Sequence, residues 1–246
     1  MASAEQTYKV GSSLLLHPAA NDLPSLASPL LFKIKKQIAV RDDHRSQVVL
    51  AILETGPLCS SLHLKSGALD SSSIVAVKIF DPKFVDLTEE QPVDSPIDYC
   101  ARLCKNEAET YQKLRSLSGV EVPIFYGTYT LDSNRLAIIL EYINYGTLFG
   151  YQIVSDKEKH DLEAAGFSLI RKLHENGVYH GDVRRNNLFW SPSSQRLVIV
   201  DFEMAQFFEG RPEYVIKNWI TMDKTSMEGV LEYCGARDPT SLPSFP

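Results

Sequence analysis

The octet HGDVRRNN at residues 180–187 constrains this chain more than any other feature, because of what stands on either side of it. A stretch of helical spacing leads up to it, with Leu162, Ala165, Ile170 and Leu173 on one face, and ends at Asn176-Gly177. A short apolar run at 188–190 follows, then a turn at 191–194 and a second apolar run, LVIV, that stops on Asp201. A polar segment between a helix and a small hairpin has to be a loop. Asp182 and Asn187 are five residues apart, so one loop can aim a carboxylate at one target and an amide oxygen at another. A strand ending on an aspartate is ordinarily a turn or a helix cap. Across a hairpin from such a loop, Asp201 reads instead as a third oxygen donor to the same site.

The first half is built differently. QVVLAIL at 47–53 and IVAVKIF at 74–80 read as buried strands, and the second carries Lys78 in its middle. Residues 99–117 show helical spacing, with Leu103, Ala108, Tyr111 and Leu114 near one face. Two strands follow at 125–130 and 135–142, joined through Leu131-Asp132-Ser133-Asn134. The opening residues are rich in Ser, Ala and Pro, so 1–44 is expected to be a partly disordered extension, with Lys33, Lys35 and Lys36 on a solvated face. Ser155 and Glu158 form the pattern of a capping box, and the tail is expected to hold two helices near 213–220 and 226–234. The order predicts an α+β chain of two lobes, β-rich at 45–142 and helical at 143–246, with a cleft between them for a ligand.

An ammonium inside an apolar strand is costly to bury unless it is paired or meets an anion. Alone, Lys78 reads as an edge-strand side chain reaching solvent. Glu107 changes that reading, since it lies on the next helix where Tyr111 and Leu114 mark the buried stripe, while Glu109 should face away. Phosphoryl transfer needs a cation on the phosphates, ligands for a metal ion, and a carboxylate at the acceptor hydroxyl. Lys78, the pair Asn187 and Asp201, and Asp182 supply those parts in order. His180 reads as packing beneath the loop.

IVAVK, NEAETYQKL, LEYI, HGDVRRNN and VDFE occur in the order of the protein kinase signature set, and together resemble that superfamily over about residues 45–205. The resemblance implies a bilobal fold with a β-rich N-lobe and a shortened helical C-lobe, using ATP and Mg2+. It makes Lys78 the lysine on the α and β phosphates, Glu107 its helix partner and Asp182 the catalytic aspartate, with Asn187 and Asp201 as metal ligands. Leu140 becomes the gatekeeper, and Glu141 and Ile143 offer backbone groups to adenine. Ala76 and Phe189 sandwich the ring, while Tyr111, His180 and Phe202 stack together between the lobes. Gly56 in ETGPLCSS is the remnant of a glycine-rich loop, beside a proline that removes a backbone donor. Gly181 stands where the family usually has the arginine that anchors a phosphorylated activation loop, and Glu203 replaces the glycine after Asp-Phe. HGD and DFE are similar to the atypical and small-molecule branch: RIO kinases, the small kinase of the KEOPS complex, and choline and aminoglycoside kinases. Arg184 stands where serine/threonine kinases carry a phosphate-contacting lysine, although a guanidinium and an ammonium are not interchangeable.

Composition narrows the partners. A net charge of -6 over 246 residues disfavours non-specific binding to nucleic acid or to anionic membranes. Four scattered cysteines, Cys59, Cys100, Cys104 and Cys234, make neither a disulfide framework nor a zinc site, which fits reduced thiols in the cytoplasm or nucleus. No stretch approaches a membrane span. Three readings stay open: transfer from ATP to a protein serine or threonine, transfer to a small-molecule hydroxyl, and a non-catalytic binding module.

Overall fold

IVAVKIF becomes a strand because β-branched residues at every second position can face one side together. In the computed structural model Val75, Val77 and Ile79 point into a hydrophobic interior, while Ala76, Lys78 and Phe80 lie on the other face. The structure describes residues 3–19, 29–39, 46–55, 62–64, 67–69, 73–85 and 95–236. The chain divides into two compact units, one of residues 1–109 and 124–142, the other of residues 110–123 and 143–246.

The first unit holds α1 (Ala4–Thr7), β1 (Ser13–Pro18), β2 (Leu30–Ala39), β3 (Gln47–Thr55), a hairpin of β4 (Leu62–Leu64) and β5 (Gly67–Leu69), and β6 (Ile74–Phe80). Most of α2 (Pro96–Lys113), then β7 (Phe125–Thr130) and β8 (Leu136–Glu141), complete it. The expected β-rich lobe is a closed antiparallel barrel with strand order β1-β2-β3-β6-β8-β7, sealed where His17 and Pro18 of β1 pair with Thr130 and Tyr129 of β7. Leu14, Leu16, Leu30, Phe32, Ile34, Val49, Leu53, Tyr129 and Ile139 fill it together with the β6 valines, and Ala4 and Tyr8 from the start of the chain join the same cluster.

That corrects the reading of residues 1–44 as an extension, since β1 and β2 are two of the six staves. Leu15 is exposed between the buried Leu14 and Leu16, so three consecutive leucines hide a period-two strand. In β2 the alternation Leu30, Phe32, Ile34 is plain, but a register shift between Ile34 and Lys36 ends it, and the lysines beyond looked like a solvated face.

In the second unit α3 (Asp156–Glu175) leads to β9 (Val178–Tyr179), the hairpin of β10 (Leu188–Ser191) and β11 (Arg196–Ile199), β12 (Gln206–Phe207), and α4 (Glu213–Tyr233). The expected pair of tail helices is therefore one helix, and the polar run at 223–226 that seemed to interrupt it lies inside it. Ser155 caps α3, its Oγ accepting from the Glu158 N–H at 3.2 Å, but the second half of the capping box does not form. The Glu158 carboxylate accepts instead from the Tyr151 hydroxyl, the Val154 N–H at 3.0 Å and the Trp190 Nε1–H at 3.2 Å. It is a buried acid that ties α3 to β10. α4 lies close against α3 at Gly166, where a Cβ would stand 3.0 Å from Met227 Sδ and 3.3 Å from Leu231 Cδ1. At the far end of α2, residues 115–117 form a separate 3-10 turn.

Candidate active site

Lys78 is on the outer face of the barrel and only 5% exposed, and Glu107 of α2 is fully buried. Their expected pair is present, Lys78 Nζ to Glu107 Oε2 at 2.6 Å. Glu109 faces the other way, 3.8 Å from Lys105 on the exposed side of the helix. A buried ammonium without a carboxylate would be untenable, so Glu107 is what allows a cation to sit in this strand. Ala76 lies two residues before Lys78 on the same face, paired with Leu140 of β8. Glu141, next along β8, donates its N–H to the Ile124 carbonyl at 2.8 Å and accepts the Ile124 N–H on its carboxylate at 3.1 Å. Gly56 lies outside the described residues.

The octet is held by the strands on either side of it. β9 enters it, β12 pairs with β9 after the hairpin, and the Val200 N–H bonds the Asn187 carbonyl at 3.0 Å. His180 is completely buried beneath the loop. Its Nδ1 accepts the Asp182 N–H at 3.1 Å, which leaves the proton on Nε2 to donate to the Val200 carbonyl at 3.2 Å. Burial pushes its pKa below the ordinary histidine value, so it is a neutral peg. Phe202 contacts the His180 ring at 4.8 Å and that of Tyr111 at 5.1 Å, edge-on to the tyrosine. Gly181 has φ +78°, and a Cβ there would fall 2.8 Å from the Met204 carbonyl oxygen. No residue with a side chain fits that position.

Asp182, Arg184, Asn187 and Asp201 come together in this unit. Asn187 is buried and donates both hydrogens of Nδ2, to the Asp182 carbonyl and to Asp182 Oδ2, each at 3.0 Å. Its Oδ1 is thereby turned away as a free oxygen donor. Arg184 bridges the two acids, Nε to Asp182 Oδ2 at 3.1 Å and Nη2 to Asp201 Oδ2 at 3.8 Å. Burial pushes the Asp182 carboxyl above the ordinary aspartate range; the Arg184 guanidinium pulls against that and the Asp201 carboxylate adds to it. Asp201 follows β11 with φ +72°, a left-handed conformation uncommon for a residue with a side chain. Such strain persists where the surroundings over-determine it, and it gathers at functional sites. The Asp201 carboxylate and the Asn187 amide oxygen are hard donors, of the kind that suits a magnesium ion better than a softer metal.

A model of the protein kinase domain matches residues 64–236. The chain belongs to the protein kinase domain family. Among its relatives, the meiotic driver SPOK2 of Podospora anserina is 28% identical over 109 residues, 44% of this chain and 14% of that protein. A calcium/calmodulin-dependent protein kinase type 1 from Macrobrachium nipponense is 25% identical over 194 residues, 73% of this chain and 50% of that protein. The chain thus spans half or less of the length of either relative.

One residue of this kinase domain escaped the sequence reading. Asp223 of α4 is buried and accepts the His180 N–H on Oδ2 at 2.8 Å and the Gly181 N–H on Oδ1 at 3.1 Å, with His174 Nε2 3.1 Å from Oδ2. It fixes the backbone immediately before Asp182. Its signal was available: Asp223, Met227 and Val230 are spaced i, i+4, i+7, so an acid occupies the apolar stripe of its helix. Ile143 and Phe189 belong to this unit too. The Ile143 N–H has no acceptor among the described residues, and Phe189 in β10 bridges to Thr147. No helix among the described residues is long and apolar enough to cross a membrane.

Proposed function

We propose that this kinase domain transfers the γ-phosphate of ATP to a hydroxyl group, with a protein serine or threonine as acceptor. The observation that carries the reading is Asn187: both its amide hydrogens are held by Asp182, which leaves its oxygen available as a ligand. Bound magnesium would supply positive charge against the phosphate oxygens. Asn187 and Asp201 would hold it, and Lys78, kept extended by Glu107, would contact the phosphates. Ala76 and Phe189 would flank the adenine ring, with the Glu141 carbonyl and the Ile143 N–H at its edge. Asp182 would orient the acceptor hydroxyl and take its proton as the new oxygen–phosphorus bond forms and the bond to the leaving diphosphate breaks. Arg184 would neutralise the two acids before the nucleotide arrives and contact phosphate afterwards.

The two compact units read as the two lobes of a kinase, the second one short. A protein acceptor is favoured by the family and by the relative that is itself a protein kinase. HGD and DFE favour the atypical, compact branch in this reading. The buried thiols Cys100, Cys104 and Cys234 suit an intracellular setting.

A second reading, a nucleotide-binding module without transfer, draws on Arg184, whose guanidinium already sits between the acids that a metal would bridge. One set of measurements separates the two. Magnesium-ATP should raise the melting temperature, and labelled ATP should pass phosphate to a serine/threonine peptide library or to the protein itself. Stabilisation with no transfer to any acceptor selects the binding module. Absence of stabilisation at millimolar magnesium-ATP removes both readings.

A further inference from the structure

Arg185 is the charged residue of the octet that the chemistry above leaves unused. It opens the 3-10 turn Arg185–Asn187, three residues after Asp182. Its guanidinium carbon sits 3.2 Å from the centre of the Tyr233 ring, at the last residue of α4, and 5.2 Å from the centre of the Phe149 ring. Both rings are largely exposed, at 68% and 63%. Arg184 is engaged with two carboxylates; Arg185 has no carboxylate within ion-pair distance and no hydrogen-bond acceptor among the described residues. A guanidinium lying on a ring uses its face and keeps its in-plane N–H groups, and that fork matches the two oxygens of a carboxylate or the edge of a phosphate.

We propose that Arg185, held by Tyr233 and flanked by Phe149, binds an anionic side chain on the acceptor peptide. The proposal rests on the phosphotransfer reading and names what that site selects. The α-carbons of Asp182 and Arg185 are at most about 11 Å apart, and the side chains add their own reach, so one extended peptide segment can bring a hydroxyl to Asp182 and an anion to Arg185. The proposal places the acid within about three residues of the phosphorylated hydroxyl. A chain of net charge -6 does not attract an acidic partner from a distance. The selection acts at contact. The free fork also explains why an arginine stands here: a stack that only pinned α4 would not need in-plane donors.

The test uses peptides with one central serine and a single Glu or Gln at each of three positions on either side. A parallel set with alanine in place of the serine is measured by direct binding. Wild type should prefer Glu at one or two positions by about tenfold or more in kcat/KM and in affinity, the worth of a charge-assisted hydrogen bond. Arg185→Gln should bring the Glu-to-Gln ratio to about one, and Arg185→Lys, which keeps charge without the fork, should fall between. Phe149→Ala should lower the ratio while the cation stays, and it carries the test should Arg185→Gln fail to melt as a folded protein. The proposal is overturned by a wild type indifferent to acid, or by a ratio unchanged in a folded Arg185→Gln or in Phe149→Ala. If no peptide is phosphorylated, the alanine set still yields the ratio, and then only the phosphotransfer reading falls.

Discussion

Asp182 and Asp201 share one arginine and differ in what their loss should do. Asp182→Asn keeps the side-chain shape and an oxygen for the Asn187 amide, so ATP binding should survive while turnover falls about 10²–10⁴-fold. Asp201→Asn removes a charge from the metal ligands, so the affinity for magnesium-ATP should weaken first and turnover fall with it. Isothermal titration with magnesium-ATP beside a transfer assay distinguishes the two. Full turnover in Asp182→Asn would mean that the octet is not the catalytic loop. The Lys78–Glu107 pair was readable from sequence because a charge in an apolar strand demands a partner, and one acid on the next helix shared its face with Tyr111 and Leu114. The strain at Asp201 was not readable, since nothing in the pattern VIVDFE indicates a positive φ.

At the scale of elements, the polar groups turned inward hold the octet in place. Asp223→Ala leaves one buried and one partly buried N–H group without an acceptor and should cost about 2–4 kcal/mol, with a fall in melting temperature of at least about 4 °C and a loss of turnover. Asp223→Asn, which keeps one acceptor oxygen, should recover part of both. Glu158 gives a dependence on pH. Burial works against its charge, yet hydrogen bonds from Tyr151, the Val154 N–H and Trp190 outweigh burial and hold its carboxyl below the ordinary glutamate value. The sign follows: its contribution is complete above the unfolded pKa of about 4.3 and is lost as pH falls through the lower folded value. Thermal unfolding of wild type and Glu158→Gln should differ near neutral pH and converge in acid. The helices around these acids were legible from their 3.6-residue spacing. The inward acids were passed over: Asp223 lies on the apolar stripe of α4 but inside a polar run that made one helix look like two, and Glu158 resembled an ordinary capping residue.

Over the whole molecule, the barrel was the least legible part, since closure is a pairing of distant segments rather than a property of any one of them. β1 carries too short and too uniform an apolar run to announce itself, and its partner β7 stands far along the chain. A chain beginning at Pro29 should melt at a lower temperature and self-associate, because it loses Leu14 and Leu16 from the interior and frees the edges of β2 and β7. Sedimentation and a melting curve would show it. The seam has a further consequence during synthesis. His17 and Thr130 are 113 residues apart, so at 5–20 residues per second the first stave emerges roughly 6–23 s before the one that closes the ring. Throughout that interval the nascent chain presents an open strand edge beside several growing copies of itself on the same messenger. A chain stopped at residue 124 makes the interval permanent and should accumulate as aggregate unless a chaperone covers the edge, whereas the finished ring offers neighbours nothing to pair with.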